Sequence, residues 1–196
     1  MLAVNLTQCL IRKTTFACLQ RYIRRTNLEL VENIVQKDEE AYNSEMSIIM
    51  LWGEIGSITL KVHFSLDIAS ALSSKTSNVS IEKIESQLAK EFIKEFSNHQ
   101  GGYLKGFFEK SNFVMGMSLP FLARGVDEII FRKIRDPRAS FDVFKINIDD
   151  LQLFLTSEIC LIDSSAIEKS ISSFEVEIEK CSLPQKIEDD GVIDFF

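Results

Sequence analysis

The sequence is poor in the residue types that mark metal, redox and membrane functions. It contains two histidines and four cysteines among its 196 residues. No two cysteines form a C-x-x-C pair, so we predict neither a zinc site nor a redox motif, and scattered thiols fit a reducing cytoplasm. No apolar run approaches the roughly 20 residues that cross a bilayer. We therefore expect a cytoplasmic protein that does not interact with a membrane.

Positive charge is also scarce. The chain has 22 Lys and Arg against 29 Asp and Glu, a net charge of −7, and a net acidic protein lacks the basic surface that nucleic acids need. The acidity is concentrated at one end, because residues 164–196 carry 8 acidic and 3 basic residues. We predict a folded domain over residues 1–163 and an acidic C-terminal tail over residues 164–196.

The beginning of the sequence has the opposite bias. Five basic residues precede the first acidic residue, Glu29: Arg12, Lys13, Arg21, Arg24 and Arg25. A basic, acid-poor start occurs in organellar transit peptides. The preferred interpretation is the first helix of the domain, over residues 3–25, because its apolar residues recur at helical spacing.

The hydrophobic pattern predicts further helices and strands in alternation. Residues 48–52 and 57–64 predict a hairpin around a turn at 53–56, since apolar residues alternate along its second strand. A long helix is expected from Ile81, with Ser80 as its N-cap, and Gly101 and Gly102 are expected to interrupt or end it. The other expectations are a loop at 36–45, a turn at 136–138, short helices at 66–73 and 164–180, and strands at 112–123, 127–135, 141–147 and 151–162.

The long helix carries a polar constellation. Glu91, Glu95, Asn98 and Gly102 are spaced by 4, 3 and 4 residues, so they share one face of the helix. Apolar residues, among them Phe92 and Phe96, occupy a different face. On spacing alone, a solvated helix face is the preferred explanation of this pattern, and a functional site is the alternative.

The motif resembles the signature of the CheC/CheX/FliM-type chemotaxis phosphatases. That signature is an Asp or Ser, three residues, Glu, two residues, Asn, and a proline about 22 residues later. Here Glu91, Glu95 and Asn98 take the three positions, and Pro120 follows 22 residues after Asn98. Residues 98–105 and 117–120 also resemble family segments. Glu91 departs from the Asp or Ser of the pattern, and His99 and Gln100 replace residues that are usually apolar.

The resemblance implies a function and a fold. It implies a phosphatase for the aspartyl phosphate of a CheY-like response regulator, in which Asn98 positions the attacking water and Glu95 pairs with the regulator's lysine. Glu91 and Gly102 would contact the partner, and Mg²⁺ would come from the regulator rather than from this protein. The implied fold is α/β, with an extended, mainly antiparallel sheet and two long helices packed on one side. A single motif copy and the family's sheet-mediated dimers favour a CheX-like homodimer.

Two questions stay open at the level of sequence. A non-catalytic module of the same fold would bind a regulator or a flagellar switch component without hydrolysis. The tail is either a solubilising end or a tethered docking peptide, in which Phe195 and Phe196 fill an apolar groove on the regulator. His63 and His99 lie on different elements, and neither belongs to a motif for zinc or for a catalytic triad.

Overall fold

The computed structural model describes residues 2–23, 27–31, 45–128, 130–131 and 136–169. Its helices are α1 (Leu2–Tyr22), α2 (Leu66–Ser77), α3 (Ser86–Lys110) and α4 (Ser164–Lys169). Its strands are β1 (Leu28–Val31), β2 (Glu45–Gly53), β3 (Gly56–Phe64), β4 (Met115–Met117), β5 (Phe121–Arg124), β6 (Ser140–Ile148) and β7 (Leu151–Leu161). Short 3₁₀ turns occupy Ile81–Lys83 and Gly125–Asp127. None of the described helices is long and apolar enough to cross a membrane.

The strands form one antiparallel sheet in the order β1-β6-β7-β3-β2-β4, with β5 also paired to β2. The central hairpin is the predicted one, and Gly53 pairs with Gly56 at its turn. Helix α1 packs on β6 and β7, α3 packs on β2, β3 and β4, and the two helices contact each other. The predicted fold, an antiparallel sheet with two long helices on one side, is therefore confirmed.

Alternation along the strands sends one set of side chains toward the helices. Ile58, Leu60 and Val62 of β3 are each 1% exposed and belong to the main core. Leu10 of α1 and Leu104 of α3 are fully buried in the same core. Because a central strand pairs on both edges and buries one whole face, this pattern specifies the register of the sheet.

The other face of the sheet buries a charged pair. The Lys61 ammonium lies 2.7 Å from the Glu128 carboxylate, and the two side chains are 4% and 0% exposed. The same ammonium lies 5.1 Å from the centre of the Phe131 ring. Glu128 and Phe131 thus lie over β3 here, and the ion pair links their segment to the sheet. The neighbouring His63 ring contacts the Thr156 hydroxyl at 3.1 Å.

Several predicted boundaries are wrong. Helix α3 begins at Ser86 after Glu85, and Ile81 lies in a separate 3₁₀ turn. The Ser80 hydroxyl bonds to the Glu82 side chain instead of capping a helix. The glycines at 101 and 102 do not interrupt the helix, which continues to Lys110.

The strand predicted at 112–123 is two short strands, β4 and β5, on either side of Pro120. Proline has no N–H to donate to a ladder. The strand predicted at 127–135 is wrong for its described part, because residues 125–127 form a 3₁₀ turn and Glu128 is helical. Strand β1 was not predicted.

The end of the described chain is packed. Helix α4 contacts α1, and its Ile167 is fully buried. Residues 170–196 lie outside the described residues, so the predictions for Phe195, Phe196 and the acidic tail stay predictions. The predicted loop at 36–45 also lies outside them except for Glu45, which is the first residue of β2.

We predict that loss of one member of the buried pair destabilises the domain. Glu128→Gln or Lys61→Met should lower the free energy of unfolding by about 3–5 kcal/mol, because the buried ion pair then loses one of its two charges. The double variant Lys61→Met/Glu128→Leu removes both charges and should recover most of that loss. Urea denaturation measures all three, and equal losses in the double and single variants would contradict a structural ion pair.

Candidate functional site

Helix α3 has two chemically distinct faces. Residues at its inner face are buried against the sheet and α1: Ala89, Phe92, Ile93, Phe96, Ser97, Gln100, Gly101, Leu104, Phe107 and Phe108. On the outer face Glu95 and Gly102 are exposed, and Glu91 and Asn98 are half-buried. The structure therefore places all four predicted site residues together on the open face of one helix.

Adjacent glycines serve opposite faces. A Cβ on Gly101 would lie 2.8 Å from Ile49 Cδ1 and 2.9 Å from Met117 Sδ, so this glycine lets α3 approach the sheet closely. A Cβ on Gly102 would have no atom within 4 Å, and the same holds for Gly106. The outer face one turn beyond Asn98 is thus bare backbone that another molecule can approach.

The two carboxylates of the motif have different environments. Glu91 accepts hydrogen bonds from Lys94 at 2.8 Å and from Gln87 at 2.8 Å, so its charge is already neutralised on the helix. The Glu95 carboxylate and the Asn98 amide make no hydrogen bond within the described parts of the chain. Of the two motif carboxylates, Glu95 is therefore the one that presents an uncompensated charge.

A tyrosine holds this segment of α3 in place. The ring of Tyr22, the last residue of α1, packs edge-on against Phe92, Phe96 and His99, with centroids 6.1, 6.0 and 5.2 Å away. These residues alternate with Glu95 and Asn98 along the helix. The clamp therefore fixes the rotation of α3 about its own axis and with it the direction of the site.

Tyr22 and the nearby Cys18 are not reactive groups. Burial raises the pKa of Tyr22 well above its usual range, and the charges of Cys18 and Glu95 raise it further. Burial also raises the pKa of the Cys18 thiol, to about 12, against a smaller opposing effect of Arg21. Both side chains are neutral near pH 7, and sequence reasoning missed the role of Tyr22 because it depends on the contact between two distant helices.

The departures from the family pattern are accommodated by packing. Gln100 is 2% exposed and donates a hydrogen bond to the Thr15 hydroxyl of α1 at 2.6 Å. His99 is exposed and rests on Tyr22. The helix stays regular through both residues, so they leave Asn98 on the outer face.

The described residues offer little for a metal ion. They contain no group of three or more His, Cys, Asp or Glu side chains arranged to hold one. His63 and His99 lie on β3 and α3, the first buried on the far face of the sheet and the second exposed on the helix.

Comparisons with known proteins find matches to the fold of this chain but none to its sequence. No protein-family model and no curated protein matches the sequence. Solved structures do match. The CheX chemotaxis protein of Vibrio vulnificus superposes with a TM-score of 0.57 and 17% identity, over 82% of this chain and 99% of that chain.

Two further structures extend the likeness. A chain of the CheX–CheY–BeF3–Mg²⁺ complex from Borrelia burgdorferi gives a TM-score of 0.54 and 14% identity, over 79% of this chain and 96% of that chain. A chain of the FliG–FliM complex from H. pylori gives a TM-score of 0.54 and 10% identity, over 85% and 96%. The chain therefore has the CheC/CheX/FliM-type fold that its motifs predict.

Proposed function

We propose that this protein is a phosphatase that hydrolyses the aspartyl phosphate of a CheY-like response regulator, in chemotaxis or a related two-component pathway of the cytoplasm. The observation that carries the proposal is the outer face of α3, where Glu95 and Asn98 stand one turn apart without partners among the described residues. The fold supports it, since one solved structure of that fold is a CheX–CheY complex.

The proposed reaction requires few chemical groups from this chain. The oxygen of a water molecule attacks phosphorus, the bond from phosphorus to the aspartate oxygen breaks, and free carboxylate and inorganic phosphate result. The regulator's own Mg²⁺ and lysine offset the charge of the transition state. The remaining requirement is an in-line water, and an uncharged amide both accepts and donates hydrogen bonds to hold one. Asn98 supplies that amide.

Glu95 has a separate part in the proposal. Its carboxylate is exposed and unpaired within the described residues, while Glu91 is held by Lys94. A lysine of the regulator would complete the pair at Glu95 and set the docking register, which places Asn98 in line with the phosphoryl group. The bare backbone at Gly102 leaves room for the partner's main chain.

We predict that Asn98→Ala lowers the saturated rate of dephosphorylation by roughly a hundredfold while regulator binding survives, because only water positioning is lost. Glu95→Ala should weaken both binding and turnover. The rates are measured as loss of radiolabelled phosphate from response regulators of the same genome. Asn5→Ala, an equivalent change at an exposed position near the opposite end of α1, is the control. Full activity in Asn98→Ala would remove the catalytic assignment.

The rival function is a binding module of the same fold that recognises a regulator or a flagellar switch component without hydrolysis. It shares the outer face of α3 with the phosphatase, and the match to a chain of the FliG–FliM complex is the observation in its favour. Turnover distinguishes the two functions. If wild-type protein binds regulators and never accelerates their dephosphorylation, it is the non-catalytic binding module.

We propose that the metal of the reaction belongs to the regulator. Purified protein should then contain no stoichiometric metal by elemental analysis, and dephosphorylation should stop when Mg²⁺ is chelated. Stoichiometric zinc or iron in the purified protein, or turnover that survives removal of Mg²⁺, would contradict this.

The adjacent glycines give a test that separates folding from docking. Gly101→Ala should be less stable than Gly102→Ala by about 1–3 kcal/mol, because overpacking occurs only at the inner position and the gain in helix propensity is common to both. Gly102→Ala should weaken regulator binding without loss of stability, since its methyl group points into open space. Thermal denaturation and a binding titration measure the two effects. Unchanged binding in Gly102→Ala would mean that the partner does not approach this backbone.

A further inference from the structure

A groove lies beside the candidate site, between α2 and α3. It has a cavity volume of about 70 Å³ and is lined by Ser73, Thr76, Ser77, Leu88, Glu91, Phe92 and Glu95. Glu95 thus belongs to two features at once: it is the unpaired carboxylate of the site and one side of the groove's mouth. A group that pairs with Glu95 therefore lies next to the groove.

The walls of the groove are apolar despite the hydroxyl groups on α2. Thr76 donates its hydroxyl to the Leu72 carbonyl and Ser77 donates its hydroxyl to the Ser73 carbonyl, both one turn back on the same helix. Their polar hydrogens are therefore used internally. Opposite them, Leu88 is half-buried and Phe92 is 8% exposed. A space of this kind stabilises an apolar side chain and has little to offer a polar one.

The charge at the mouth specifies what accompanies that side chain. Lys94 and Gln87 satisfy Glu91, whereas Glu95 has no ion-pair partner in the described chain. The negative charge that faces an incoming molecule is therefore that of Glu95, and a cation complements it.

We propose that the groove between α2 and α3 is a docking subsite for the response regulator. Its occupant is a large apolar side chain that lies within a few residues of the lysine or arginine that pairs with Glu95. This inference rests on the part of the proposed function in which the chain binds a regulator, and it does not require hydrolysis. The groove adds affinity and selects among regulators, while Asn98 acts on the phosphoryl group.

Two variants alter the groove without touching the motif. Leu88→Ala truncates one of the two apolar side chains that α3 contributes to the lining. Ser77→Phe places a ring at the exposed edge of the opposite wall, where it competes for the space. The matched control is Leu66→Ala, the same truncation at an exposed residue at the other end of α2. Circular dichroism and thermal denaturation establish that each variant is folded.

The test is a binding titration of fluorescently labelled response regulators from the same genome, activated with Mg²⁺ and beryllofluoride as a mimic of the phosphoryl group. Leu88→Ala and Ser77→Phe should each raise the Kd about tenfold, as expected for the loss of one buried apolar contact, and Leu66→Ala should leave it unchanged. For regulators that are dephosphorylated, KM should rise likewise with kcat within twofold of wild type.

The outcomes distinguish the inference from the function on which it rests. If wild-type protein binds a regulator and both groove variants bind it equally well, the groove is not a docking subsite and the proposed function stands. If wild-type protein binds none of the regulators, the proposed function fails and the subsite fails with it. If Leu66→Ala weakens binding as much as the groove variants do, the effect is not specific to the groove and the inference is overturned.

Discussion

The close approach of α3 to the sheet at Gly101 is the constraint on which the rest of the site depends. A side chain at this position would meet Ile49 and Met117, so the glycine sets the distance between helix and strands. It also fixes which face of the helix turns inward. Gly102 is the next residue along α3, so it points away from the sheet, and Asn98, one turn before Gly102, lies beside it on the outer side of the helix. The candidate site therefore occupies the side of α3 that does not pack against the sheet.

Packing also explains how exposed polar groups become well oriented. Glu95 and Asn98 have no hydrogen bonds of their own within the described residues, so their direction comes from the backbone beneath them. The aromatic clamp of Tyr22 on Phe92, Phe96 and His99 and the bond from Gln100 to Thr15 hold that backbone on α1. A side chain that must bind water or a lysine is best oriented by the packing of its own backbone. Hydrogen bonds to the side chain itself would compete with the water or the lysine.

Much of this arrangement could be predicted from the sequence, and the physical reason is periodicity. Alternation predicted the hairpin of β2 and β3, and the spacing of Glu91, Glu95 and Asn98 predicted their common face. Features that depend on contacts between distant segments were out of reach. Tyr22 and the groove against α2 are examples, because nothing local in the sequence marks either.

The errors also have physical causes. Ser80 has the residue type of an N-cap, but its hydroxyl finds Glu82. The strand predicted at 127–135 fails in its described part because Glu128 and Phe131 lie over the outer face of the sheet at Lys61 instead of pairing within the sheet. A segment that lies on a sheet and a strand within one bury similar side chains, so composition alone does not separate them.

The chain pairs some of its carboxylates with lysines and leaves Glu95 unpaired within the described residues. Glu128 is buried and neutralised by Lys61, and Glu91 is neutralised by Lys94 on the surface. The free-energy cost of leaving Glu95 unpaired beside an apolar groove is its repulsion from other acidic residues. Lys94 reduces that repulsion because it pairs with Glu91. A single uncompensated charge in water contributes little affinity by itself, because exposed ion pairs are worth at most about 1 kcal/mol. Its value is directional: it orients a cation at the mouth of the groove, and burial of the neighbouring apolar group then supplies the free energy that the ion pair lacks.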